Sequence, residues 1–257
     1  MRLLQSFFIA ISMYSKIPVP RAKWNQENMK YAMCFFPAVG VVTGLCEWLL
    51  GGALIKAPVG GLFFAAVMTL LPILISGGFH LDGFMDTMDA LNSYGDREKK
   101  LAILKDSNSG AFAVLGLGCY LVWSLAVWSE VTQEMLGVIG CVYVISRAMS
   151  GFSIVTFTAA RDSGLAKTFQ SSAQKQAVRV TMILIFLAAA ALMFFLNPVL
   201  AAGALITAVL VFIYYAFICR SKFGGVTGDL AGYFLQLCEL GMLTGIILAG
   251  GVLWKSY

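Results

Sequence analysis

Charge is what this sequence has least of. Asp, Glu, Lys and Arg make up 12% of its 257 residues, against 60% hydrophobic residues, and the mean hydropathy is +0.84. A soluble domain carries about twice that charged fraction, so the deficit identifies a polytopic membrane protein before any motif is read. Basic clusters interleaved with aromatics are missing as well. The net charge of +5 therefore gives no indication of nucleic acid as a partner. Cysteine pairs are missing: Cys34, Cys46, Cys119, Cys141, Cys219 and Cys238 form no C-x-x-C, and nearly all sit in or beside apolar segments. They read as buried free thiols rather than disulfides or metal ligands. The alternation of short strands that a barrel needs is absent, which leaves helices as the spans. The apolar stretch 3–14 has no small-residue cleavage pattern after it. It reads as an interfacial or re-entrant helix too short to cross a bilayer, not as a signal peptide. With no internal repeat, low-complexity tract or second domain visible, residues 1–257 form one integral membrane domain.

What is present is one apolar run after another. A span takes about 20 apolar residues, and seven windows qualify: 31–54, 59–79, 110–128, 135–157, 178–196, 199–219 and 230–253. The expected fold is all-α, a polytopic helical bundle of about seven transmembrane helices with a short interfacial helix before them. The link Asn197-Pro198 is short enough to make the fifth and sixth spans an antiparallel hairpin. Lys and Arg number 15 at the ends that include the N-terminal segment. Only Lys56 and Lys255 fall at the opposite ends, and Arg147 lies within the fourth span. This bias places the N-terminus in the cytoplasm and the C-terminus outside. The polar, glycine-bearing loops then all face the cytoplasm, and so does any chemistry.

The scarce charges are concentrated in a few motifs. "HLDGFMDTMDA", from His80, carries Asp82, Asp86 and Asp89 at i, i+4, i+7, an arc of roughly 60° on one helical face. Three anions so close repel one another, and a hard divalent cation such as Mg²⁺ resolves the conflict while leaving room for substrate phosphates. The alternative is a solvated acidic helix end facing Arg97, Lys99 and Lys100. His80 is open between a base, a phosphate contact and a structural residue. "KDSNSGA", from Lys105, leads into the third span. Its polar residues suit a helix cap or a phosphate at the helix N-terminus, with Lys105 and Asp106 at its edge. Arg147, Glu47 and Glu239 lie inside spans, where charge marks either an ion pair or a site. "RDSGLAKTF" offers Arg161 and Lys167. "GGVTGD", from Gly224, sets Gly225 and Thr227 in a turn whose N–H groups suit a phosphate while Asp229 suits a metal. Gly40 and Gly44 read as helix packing. Together these point to Mg²⁺-dependent transfer at a phosphate or diphosphate group.

The strings "GGFHLDGFMDTMDAL", "LKDSNSGAFA", "RDSGLAKTF" and "GGVTGDLAGYFLQLCEL", with "SKIPVPR" near the start, resemble in order the motifs of the cobalamin-5′-phosphate synthase (adenosylcobinamide-GDP ribazoletransferase) family, over nearly the whole chain. The chain departs from that pattern at Asn108 or Ser109, where the family carries a more basic residue. The resemblance implies a Mg²⁺-dependent inner-membrane enzyme that joins adenosylcobinamide-GDP to α-ribazole or its 5′-phosphate and releases GMP. It implies Asp82, Asp86 and Asp229 as ligands of Mg²⁺, with Asp89 as a further ligand or the base. Lys105, Arg147, Arg161 and Lys167 would hold phosphate or nucleotide oxygens. Membrane lipid and a second copy of the chain are the further partners expected. A CDP-alcohol phosphotransferase shares this logic, but its Asp-Gly-x-x-Ala-Arg fails here after Asp82-Gly83. An ion-coupled transporter would place its charges near the midplane of inverted repeats.

Overall fold

The computed structural model describes residues 2–106 and 108–254; Ser107 of the third-span entry and Lys255 lie outside the described residues. Among the described residues there is no strand, only one isolated parallel bridge between Ala159 and Val226. Helix α1 (Arg2–Tyr14) has 13 residues, about 20 Å, and buries Ile9, Ala10 and Tyr14 against the bundle. After α2 (Gln26–Met29), a 3₁₀ turn at Ala32–Phe35 leads into α3 (Phe36–Lys56).

The second expected span differs from its reading. Helix α4 (Gly61–Ser76) is 16 residues long, and the chain then turns by 96° into α5 (Phe79–Asn92). The elbow is Gly77-Gly78, with φ of 68° and 80°, the left-handed region that glycine enters without a Cβ penalty. Their N–H groups donate to Leu74 and Ile73, which closes α4. The acid-bearing helix therefore turns off the axis of α4 and packs against α7 and α12. Helix α6 (Arg97–Ile103) follows. Its Lys100 ammonium donates to the carbonyls of Ala90, Leu91 and Ser93 at 2.7–3.1 Å, a cationic cap on the C-terminus of α5.

The remaining spans are α7 (Ala111–Ser129), α8 (Leu136–Thr156), α10 (Lys175–Leu196), α11 (Pro198–Ile218) and α12 (Gly228–Trp254), with α9 (Leu165–Ser172) in the loop between α8 and α10. Among the described residues, six helices are long and apolar enough to cross a membrane, seven if the bent pair α4–α5 is one span. Helix α8 is the centre of the bundle, buried along most of its length. Gly40 and Gly44 let α3 approach it closely, because a Cβ at either would run into the backbone at Tyr143 or Gly140. The α10–α11 hairpin turns at Asn197, whose side chain accepts from the N–H groups of Val199 and Leu200. All six cysteines are free.

Candidate active site

Helix α5 has two faces. His80, Gly83, Phe84, Thr87 and Ala90 are buried, a stripe at helical spacing. Phe84 stacks on Tyr233 of α12 at 5.5 Å and packs on Tyr120 of α7. The other stripe carries Asp82, exposed, with Asp86 and Asp89 half-buried.

Gly83 lies between Asp82 and Asp86 and receives the start of α12. A Cβ there would stand 2.8 Å from the carbonyl oxygen of Asp229 and 2.9 Å from its Cα. This notch brings Asp229 to the acid stripe from the far end of the sequence. Thr227 Oγ1 donates to Asp229 Oδ2 at 3.3 Å, and the Arg161 guanidinium lies 4.0 Å from the same oxygen. Arg161 also donates to the Leu101 carbonyl at 2.9 Å, tying α6 to the site. Burial and then the negative charges of Asp82, Asp229, Asp89 and Asp106 push the Asp86 carboxyl up to about 6. The donors are hard carboxylate oxygens sharing one field, which fits Mg²⁺, an ion that takes one or two protein carboxylates and completes its shell with water and phosphate oxygens. Among the described residues, no three acids converge into a ready-made cage.

Asp89 is engaged differently from its two neighbours. It accepts from the backbone N–H of Gly110 and from that of Ala113 at 2.9 Å. The N-terminus of α7, open in the sequence to a cap or a phosphate, receives this carboxylate, an anion at the positive end of a helix dipole. The glycine turn also departs from expectation. Gly225 N–H donates to Cys219 and Val226 N–H to Thr158, while Ala160 N–H donates back to Val226. Thr227 Oγ1 accepts from Leu230 N–H and so caps α12. The N–H groups of Gly225 and Val226 are thus taken up within the chain, and the Thr227 hydroxyl serves the start of α12.

His80, open in the sequence between a base, a phosphate contact and a structural residue, is buried on the face away from the acids, 2% exposed. Its ring stacks on Tyr14 at 6.1 Å, and neither ring nitrogen has a partner. Burial holds the imidazole down at about 3, so it stays neutral at working pH. Arg147 is 1% exposed and pairs with Glu239 of α12, one of the two readings its position allowed. It does not join the loop cations. Lys105 is exposed, and Asp106 accepts from the backbone and side chain of Asn108. Lys167 pairs with Asp162 at 3.1 Å. Arg97, read from the sequence only as a cation facing the acidic helix end, lies over Gly224, where a Cβ would overlap its guanidinium. Sequence reasoning gave Lys16 no place at the site, yet its stem lies over Gly77. Both are contacts between distant segments and leave no local pattern.

Apolar spans with carboxylates and cations gathered at one end define an integral membrane enzyme. The chain belongs to the cobalamin-5-phosphate synthase (CobS) family, whose pattern it matches over residues 6–247. It is 43% identical over 255 residues to an adenosylcobinamide-GDP ribazoletransferase of Lachnoclostridium phytofermentans, covering 98% of this chain and 97% of that one. Proteins of the same name from Clostridium perfringens and Pseudomonas fluorescens are each 33% identical, over 94% of this chain and 96% and 99% of theirs. No solved structure matches the chain.

Proposed function

We propose that this protein joins adenosylcobinamide-GDP to α-ribazole or α-ribazole 5′-phosphate, with release of GMP, at the cytoplasmic face of the bacterial inner membrane. The observation that carries the reading is the seating of Asp229 at Gly83, between Asp82 and Asp86 and beside Arg161. The family and the names of the relatives support the substrates, and the Lys and Arg asymmetry supports the sidedness.

In the reaction, the ribazole 3′-hydroxyl oxygen bonds to the corrinoid-side phosphorus of the diphosphate. The bond from that phosphorus to the bridging oxygen breaks, and the electron pair leaves with GMP. Asp82, Asp86 and Asp229 would hold Mg²⁺, which when bound supplies positive charge to the diphosphate. Arg161 holds Asp229 in place and adds a cation where charge develops on the leaving oxygen. Lys105 and Lys167, on adjacent loops, draw the anionic substrate to the site. The hydroxyl proton passes to a carboxylate of the stripe that the ion leaves free.

The test is GMP release by detergent-purified protein given adenosylcobinamide-GDP, ribazole phosphate and Mg²⁺, beside Asp82→Ala. Mg²⁺-dependent GMP and a new corrinoid, both lost in the variant, are expected. Folded wild-type protein that makes neither would overturn the reading. Sidedness is checked with Tyr94→Cys, at a residue 93% exposed, which an impermeant thiol reagent should label in inverted vesicles and spare in intact cells.

A further inference from the structure

Between the end of α1 and the α4–α5 elbow lies a polar cleft of about 450 Å³ that Ser12, Ser15, Lys16, Ser76, Phe79 and Asp82 line. Clefts elsewhere in the molecule differ in kind: the one between α8, α10 and α11 is walled by Met149, Phe152, Ile183 and Phe186 and faces the hydrocarbon. The polar cleft is built from two segments that the chain takes care to join. Lys16 N–H donates to the Ile75 carbonyl at 2.8 Å. The Lys16 stem lies over Gly77, where a Cβ would stand 2.9 Å from its Cδ and closer still to its other methylenes. A glycine at the elbow therefore serves two purposes, the left-handed turn and a seat for this side chain. Lys16 makes no ion pair among the described residues.

We infer that this cleft is the subsite for the departing nucleoside monophosphate, with Lys16 on its phosphate. The inference rests on the transferase reading above and deepens it. Asp82 is shared between the acid stripe and the cleft wall, so a diphosphate placed at the stripe sends one of its two ends into the cleft. A volume of this order suits a nucleotide and is too small for a corrin macrocycle with its side chains. Its chemistry suits a nucleotide too. An ammonium meets phosphate oxygens, the Ser12 and Ser76 hydroxyl oxygens, whose protons go to the Ile9 and Ile73 carbonyls, keep acceptor capacity for ribose hydroxyls or base N–H groups, and the half-exposed Phe79 ring, 42% accessible, offers a face for a purine.

The experiment compares Lys16→Gln with wild type, with Lys16→Arg as the conservative variant and Lys23→Gln as a cation change in the same segment outside the cleft. Lys16→Gln should raise both the KM for adenosylcobinamide-GDP and the inhibition constant of GMP about tenfold, the loss of one charge-assisted contact. The KM for ribazole phosphate and the melting temperature should stay at wild-type values. Lys16→Arg should restore most of the loss, and Lys23→Gln should show none. Turnover with both nucleotide constants of Lys16→Gln within twofold of wild type overturns the subsite and leaves the transferase reading intact. A shift in the ribazole KM alone assigns the cleft to the acceptor and overturns it equally. Wild-type protein that releases no GMP overturns both.

Discussion

Gly83 and Asp229 touch through their backbones, with room for no atom between them: a Cβ on Gly83 would lie 2.8 Å from the Asp229 carbonyl oxygen. The contact is backbone to backbone, so no side-chain rotation relieves it. Gly83→Ala should push the first turn of α12 off α5 and carry Asp229 away from Asp82 and Asp86. Overpacking of this kind costs about 1–3 kcal/mol, and GMP release should fall far more than stability does. A Gly83→Ala protein with wild-type turnover would remove Asp229 from the site.

Asp86 gives the site a pH signature. Its carboxyl is raised from 3.8 to about 6 by burial and then by its acidic neighbours. The neutral form therefore favours the metal-free fold. Its contribution to stability is full below about pH 4 and is lost as pH rises through 6. A bound divalent cation removes that loss. The melting temperature of metal-free protein should drop between pH 5 and pH 7, and saturating Mg²⁺ should raise it at pH 7 and do little at pH 5. Asp86→Asn should flatten the metal-free curve. Parallel curves with and without Mg²⁺ would mean that the ion does not bind here.

Asp89 should behave unlike its two companions. Both of its oxygens accept from the N-terminus of α7, at Gly110 and Ala113. Asp89→Ala should cost about 1–3 kcal/mol by leaving those N–H groups without a partner, and its residual activity should keep the wild-type Mg²⁺ dependence. Asp89→Asn retains one acceptor and should lose about half as much. A rise in the Mg²⁺ concentration needed for half-activity, with stability unchanged, would make Asp89 a metal ligand instead.

The parts of this structure that depend on local pattern were legible in the sequence. Apolar windows locate α3, α7, α8, α10, α11 and α12; Asn197-Pro198 marks the hairpin; Gly40 and Gly44 mark the close helix pair; and the spacing of Asp82, Asp86 and Asp89 sets them on one face. The break at Gly77-Gly78 was not legible, because averaged hydropathy runs through a turn that is written only in φ. The glycine turn at Gly224 was read as a cradle because the partners of Val226, at Thr158 and Ala160, lie far earlier in the chain. Lys16 and Arg97 looked like topology signals for the same reason, since the glycines that seat them are distant in sequence. The isolation of His80 from the acids follows from its place two residues before Asp82, which turns it to the buried stripe.

Arg147 and Glu239 form the ion pair that holds α8 to α12 within the bundle, and the pair separates two roles that a single variant confounds. Ser146 donates to the same carboxylate at 2.9 Å, while Tyr143 donates to Glu47 at 3.3 Å, so five polar side chains are buried together here. Arg147→Met leaves Glu239 buried without its counter-charge, and such a break costs about 3–5 kcal/mol. Activity will be lost with it, whatever Arg147 does. The double variant Arg147→Met/Glu239→Leu removes both charges and should recover most of the stability, because an apolar pair of similar volume is often as stable as a buried ion pair. If Arg147 serves only the fold, turnover returns together with the melting temperature. That is the expected result, given a guanidinium 1% exposed and committed to Glu239. A double variant that melts like wild type and still releases no GMP would place Arg147 on the substrate after all.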